Sequence, residues 1–220
     1  APYLLKKHRS GARLGHDTAY DHMFLDGLED AYEEGRAMGT FAQDTANEYQ
    51  LTREEMDDYS IESLRRANAA IESGAFDGEV VPVTIVTRKG ETTVEHDEAP
   101  GKGKPDKIPS LRPAFAKDGT ITAATSSSIS DGAAALVLSR ESVAKENGQT
   151  PVAKIVALAA HAQEPSKFTV APIGAIEKVL ENAGWSADEV DLWEVNEAFA
   201  CVAMFAMRDI GIPHDKINVN

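Results

Sequence analysis

Val190-Asp191-Leu192-Trp193-Glu194-Val195, followed at once by Asn196-Glu197-Ala198-Phe199-Ala200, decides how this chain is read. The first six residues alternate broadly between apolar and charged, as a strand with one wet face does. At Asn196 the period changes, and the small and apolar run from Ala198 to Met207 reads as a buried helix. A side-chain amide at a strand-to-helix junction lies at the carboxyl edge of a sheet, where open α/β folds hold their ligands. Asn is also among the preferred helix N-caps. Glu197 would add favourable charge at the positive helix end. Cap and ligand contact are compatible, so both readings stay open.

The 220 residues can bury one large core or two small ones. A composition of 42% hydrophobic and 26% charged residues is globular, and no apolar run is long enough for a membrane span. Lys6, Lys7 and Arg9 follow a short apolar start with no h-region behind them, so no signal-peptide pattern is read, and the lone cysteine makes a reducing cytoplasm the expected location. A formal charge of -14 argues against a nucleic-acid partner, because phosphate binding needs clustered cations. The single cysteine excludes an internal disulfide and a Cys-based metal site. His8, His16, His22, His96, His161 and His214 show no paired ligand spacing, and no metal is expected.

Along the chain, residues 1–18 read as a basic, glycine-bearing arm, and Asp21 to Arg36 as a helix. Thr52-Arg53-Glu54-Glu55 is a capping box, and the helix it opens carries Met56, Tyr59, Leu64, Ala67 and Ile71 before Gly74 stops it. A hairpin follows, with strands around Val81–Val86 and Thr92–Glu95 about a turn at Arg88-Lys89-Gly90; Pro82 favours an edge position. Residues 97–113 form a surface loop in which Lys102, Lys104 and Lys107 make a basic island. The second half runs strand (120–122), buried strand (133–138), short helix capped by Ser139 and ending near Gly148, strand (152–158), helix opened by Pro172 and closed by Gly184, then the 190–207 junction. That alternation argues for an α/β layer on a largely buried sheet.

Ser126-Ser127-Ser128 reads first as a polar turn, and second as an anion or polar-ligand contact. There is no phosphate loop, dinucleotide glycine triplet or nucleophile elbow. Cys201 lies inside the Ala/Met/Phe-rich helix, where a thiol behaves as a small hydrophobe rather than an activated nucleophile.

An ordered set of stretches resembles the thiolase family, most closely its biosynthetic acetoacetyl-CoA (acetyl-CoA acetyltransferase) branch. They are Ala1 to Leu5, Met38-Gly39-Thr40, Thr52 to Gly74 with Glu79 to Val83, Leu111 to Phe115, Gly119 to Ala123, Ser130 to Ala135, Ala183-Gly184-Trp185, Asn196 to Ala200 and Ile217 to Asn220. The resemblance spans essentially the whole chain. It implies a partial thiolase-like layered αβαβα fold of α/β class, with an α+β loop domain inserted in the first half-domain. The expected divisions are a CoA-binding loop domain at 1–129, the end of the N-terminal half-domain at 130–151 and the start of the C-terminal half-domain at 152–220.

The resemblance further implies acyl transfer between coenzyme A thioesters: condensation of two acetyl-CoA to acetoacetyl-CoA and CoA, or the reverse. No permanently bound cofactor is expected. In the family the nucleophilic cysteine precedes a position like Ala1, while a Gly-His-Pro histidine and an acid/base cysteine follow one like Asn220. This segment alone is therefore expected to be inactive. Asn196 is the one catalytic match, holding a water that forms an oxyanion hole with that histidine. For substrate, Ser127 matches the pantetheine contact, Ala123 and Phe115 the same channel, Ala198 and Phe199 the thioester end, and Met38 and Phe168 pocket positions. Apart from the resemblance, the basic island suggests that Lys102, Lys104 or Lys107 approaches the CoA phosphates. Ala37 and Phe168 stand where many biosynthetic members have His and Met, and the loop at 100–107 departs from the family's usual CoA contacts. The basic arm Lys6–Gly15 falls where such members carry a tetramer-forming loop, so a homodimer or homotetramer is expected. Two alternatives stay open: a degradative 3-ketoacyl-CoA thiolase, and a non-catalytic acyl-CoA-binding module on the same scaffold. A segment deprived of its sheet partners should expose apolar strands.

Overall fold

The computed structural model describes residues 2–220. Strand β1 (Tyr3–Leu5) pairs antiparallel with β2 (Ala19–Asp21), so the basic arm is the loop of a small hairpin. Helix α1 (His22–Gly27) follows directly, capped by the Asp21 carboxylate on the Met23 N–H. Helix α2 (Met38–Glu48) and helix α3 (Arg53–Ser73) are next. The capping box of α3 forms as read: Thr52 Oγ1 accepts from the Glu55 N–H at 3.2 Å, and Glu55 Oε2 accepts from the Thr52 N–H at 2.7 Å. Gly74, at φ 68°, ends the helix in the left-handed conformation that glycine tolerates best.

Strands β3 (Val83–Thr87) and β4 (Gly90–Val94) form the expected hairpin, with Val83 opposite Val94 and Thr87 opposite Gly90. Short helix α4 (Glu98–Lys102) and a 3-10 turn at Pro105–Ser110 carry the lysine island. Helix α5 (Glu141–Glu146), helix α6 (Ala171–Ala183) and helix α7 (Ala200–Ile210) complete the elements, with Gly184 at φ 70° and Gly211 at φ 80° ending the last two.

The core gathers around α7. Ala200, Cys201, Val202, Ala203, Phe205 and Ala206 are all buried in it, packed on Ala42 and Ala46 of α2 and Met56 and Tyr59 of α3. Ile173, Ile176 and Leu180 of α6 close the other side. The run Ala200–Met207 is apolar on every face and has to be wrapped in this way, while Arg208 and Asp209 at the end of the helix are exposed. Among the described residues no helix is long and apolar enough to cross a membrane.

Several expectations are corrected. The helix foreseen over 21–36 stops at Gly27. Asp30 instead accepts from the N–H groups of Tyr32 and Glu33, Gly35 takes φ 83°, and the chain doubles back with Asp30 N–H on the Arg36 carbonyl. Asp competes for backbone donors in this way wherever a turn is available. Residues 120–122 form no strand, because the Gln43 side chain takes the N–H groups of Thr120 and Ile121. The loop at 97–113 holds short helical turns. Ser139 caps nothing; Arg140 occupies the N-cap of α5. Residues 133–138 and 152–158 carry no regular structure, and Leu136, Val137 and Val152 are 88%, 95% and 103% exposed. Strands are completed by non-local neighbours, and the described residues supply none here.

Candidate active site

The 190–200 segment is fastened from both sides. Trp193 forms a parallel bridge with Ile217, donating to the Lys216 carbonyl at 2.8 Å while its own carbonyl accepts from Asn218 N–H at 2.9 Å. On the other edge Ser126 bridges Phe199. There Ser127 N–H donates to the Ala198 carbonyl at 3.0 Å, and Ala200 N–H to the Thr125 carbonyl at 2.9 Å. This is the sheet edge that the alternating pattern pointed to, reduced to single bridges. Trp193 and Val195 face the core while Asp191, Leu192 and Glu194 are exposed.

Asn196 does not cap the helix. The N-cap of α7 is Phe199, three residues further on, and no side chain closes that end. Glu197 likewise does not lie in the helix's first turn. The extended backbone continues through Phe199 because residues 125–127 pair with it. The Asn196 carboxamide is exposed into a cavity of about 470 Å³ whose walls include Ser126, Ser127, Ser128, Glu197, Ala124 and Ser63. A second cavity of about 390 Å³ is lined by Lys102, Lys104, Lys107, Ile108 and Leu111. Ser60, Leu64 and Ala124 line both, so the two are adjoining parts of one cleft along α3.

The other candidates separate from that pair. Ala123 is exposed and lines neither cavity; its neighbour Ala124 lines both. Phe199 is buried in the core cluster, with Met38, Phe115, Phe168 and Ala198 packed partly buried against it, and none of the five lines either cavity. The Phe199 ring meets Phe115 edge-on at 6.0 Å and Phe168 at 6.4 Å between centroids. Cys201 is fully buried, and loss of hydration pushes its thiol up to about 12, which removes it as a thiolate nucleophile at neutral pH.

The sequence reading missed the polar network under Asn196. Glu197 accepts from Tyr59 Oη at 2.7 Å, Ser63 Oγ at 2.7 Å and Asn218 Nδ2 at 2.8 Å. Tyr59 and Ser63 are one turn apart on α3 and face the same way, but Tyr59 read only as part of an apolar stripe. Burial raises its phenol well above the ordinary value, with the adjacent Glu197 adding to the effect. Arg53 ties the lysine turn to α3: it donates to Asp57 at 2.7 Å and to the Ile108 and Pro109 carbonyls at 2.9 and 3.3 Å.

The fold and this cleft define the class. The family models for the thiolase N-terminal and C-terminal domains match residues 1–142 and 149–220, and the chain belongs to the thiolase family. It is 46% identical over 220 residues to a probable acetyl-CoA acetyltransferase of Dictyostelium discoideum, covering 100% of this chain and 53% of that protein. The crystal structure of the Bacillus anthracis acetyl-CoA acetyltransferase superposes with a TM-score of 0.94 at 40% identity, over 100% of this chain and 55% of that one. A thiolase from Ascaris suum in complex with coenzyme A superposes at 0.91 with 38% identity, over 100% and 56%. The chain spans about half the length of the relatives it matches. Its fold is that of a thiolase in part.

Proposed function

We propose that this chain is a segment of an acetyl-CoA C-acetyltransferase, joining two acetyl-CoA into acetoacetyl-CoA and CoA or running the reverse thiolysis. The observation that carries this reading is that the carboxamide of Asn196 and the serines around Ser127 open into one cleft, continuous with the lysine-lined part. That is the layout a CoA thioester needs. Phosphates meet cations at one end, the pantetheine arm runs past Ser127, and the thioester carbonyl ends near an amide donor.

In this reading Asn196 orders a water against the thioester oxygen, where fixed donors stabilise developing negative charge. Acyl transfer itself passes through a cysteine that the family resemblance places outside this segment, and Cys201 takes no part. Phe115, Phe168, Phe199, Met38 and Ala198 shape the apolar floor rather than touch the cleft directly. We further propose the three-part division at residues 129 and 151; the step from one matched family domain to the next between residues 142 and 149 supports the second boundary. Assembly into a homo-oligomer through the exposed arm between β1 and β2 completes the proposal.

The test uses the full-length protein that carries this chain. Asn196→Ala should lower kcat for acetoacetyl-CoA thiolysis roughly a hundredfold, the usual loss for an oxyanion donor. Near-parental turnover would reject the role of Asn196. Faster cleavage of long 3-ketoacyl-CoA than of acetoacetyl-CoA would reject the biosynthetic assignment, and CoA binding without turnover would reject catalysis.

A further inference from the structure

We propose that Glu197 and Asn218 are positioning residues that set the direction of the Asn196 carboxamide. The inference rests on the reading of Asn196 just given. Asn196 is exposed and lines the cleft, and its amide is held by no protein side chain among the described residues. The backbone fixes where its Cα–Cβ bond starts and points, leaving only the side-chain torsions to turn the amide, and that backbone is clamped on both sides.

Before it, the side-chain amide of Asn218 pairs with Val195 as a neighbouring strand would. Asn218 Oδ1 accepts from the Val195 N–H at 2.8 Å, and Asn218 Nδ2 donates to the Val195 carbonyl at 2.8 Å. The Val195 carbonyl lies in the same rigid peptide plane as the Asn196 N–H, so fixing one fixes the other. After it, the three donors on Glu197 tie the next residue to α3 and again to Asn218. Asn218 itself takes φ 46°, a left-handed conformation that asparagine tolerates better than most residues. It is held there from behind, with Arg66 Nη1 donating to the Ile217 carbonyl at 2.7 Å and Arg66 Nη2 to the His214 carbonyl at 3.0 Å.

Misplacing a catalytic group by about 1 Å costs on the order of a hundredfold in rate. Loosening one of two clamps should cost less, so Glu197→Gln in the full-length protein should lower kcat about tenfold with KM within about twofold. A general loss of packing would act whether or not Asn196 is present; a positioning role would not. The deciding measurement is a double-mutant cycle in the thiolysis assay, comparing Glu197→Gln on the parental and on the Asn196→Ala background. We expect the kcat loss from Glu197→Gln to vanish, to within about twofold, once Asn196 is alanine. The same loss on both backgrounds, or parental kcat in Glu197→Gln alone, overturns the positioning role while the assignment of Asn196 stands. Near-parental turnover in Asn196→Ala overturns that assignment and the positioning role with it. Should Glu197→Gln fail to fold, as read by circular dichroism, the cycle is run with Tyr59→Phe. That change removes one donor and keeps the ring, and the same two outcomes decide.

Discussion

Gly39 and Phe115 show what a single missing carbon decides. A Cβ on Gly39 would lie 2.2 Å from two carbons of the Phe115 ring and 2.5 Å from a third. No real side chain sits that close, so the ring lies where it does because position 39 has none. The same ring meets Phe199 edge-on, one residue before α7 begins. Gly39→Ala should therefore cost about 1–3 kcal/mol, the usual penalty for overpacking a filled core. A chemical-denaturation midpoint equal to the parent's would show that the ring moves freely aside. Asn196 teaches the complementary lesson. Its type suits a helix cap, yet the pairing of 125–127 with 198–200 delays the helix and leaves its amide free.

Helix α3 is the element on which the cleft is built. One face supplies Ser60, Ser63 and Leu64 to the cavity walls, and its first turn holds the lysine loop through Arg53. Another turn grips the segment that carries Asn218. Glu62 accepts from Arg65 at 2.7 Å and from Arg66 at 2.8 Å, and Arg66 reaches the His214 and Ile217 carbonyls. Hydrogen bonds from Arg65 and then Arg66 lower the Glu62 carboxyl from its ordinary 4.5 to about 2. A carboxylate depressed in the folded state adds stability that is fully present above about pH 4.5 and is lost as pH falls towards 2. The gap in melting temperature between the parent and Glu62→Gln should therefore shrink as the pH is lowered through that window. A gap that stays constant down to the acid limit would show that Glu62 is not the titrating support.

At the scale of the molecule, a net charge of -14 surrounds a cleft whose outer part is basic. Among the described residues Lys102 reaches only Glu98, at 3.8 Å, which leaves its ammonium largely hydrated and available. A basic island in an acidic surface concentrates the field where a polyanion enters. Replacing Lys102, Lys104 and Lys107 together with Gln should weaken CoA binding and flatten its dependence on salt, since exposed charges are screened over about 10 Å at 0.1 M. Calorimetric titrations unchanged at low and high salt would reject the assignment of these lysines to the CoA phosphates. The same scale governs the apolar segments 133–138 and 152–158. Their composition is that of buried strands, but a strand exists only when a neighbour completes its hydrogen bonds.

What the residues fixed by themselves was local or ordered. The capping box of α3, the β3–β4 hairpin, the glycine stops at 74 and 184 and the apolar run Ala200–Met207 of α7 depend on near neighbours, so their pattern is written in adjacent positions. The family was legible too, because its motifs recur in order along the whole chain. What only the tertiary structure decided is which of these residues meet. Glu197 finds Tyr59, Ser63 and Asn218 across gaps of 138, 134 and 21 positions. The floor of aromatic rings lies behind the cleft rather than in it, and Asn196 faces open space instead of its own helix. Hydrogen bonds over such distances depend on how α3, α7 and the 214–218 segment pack, and no spacing along one strand or helix encodes that.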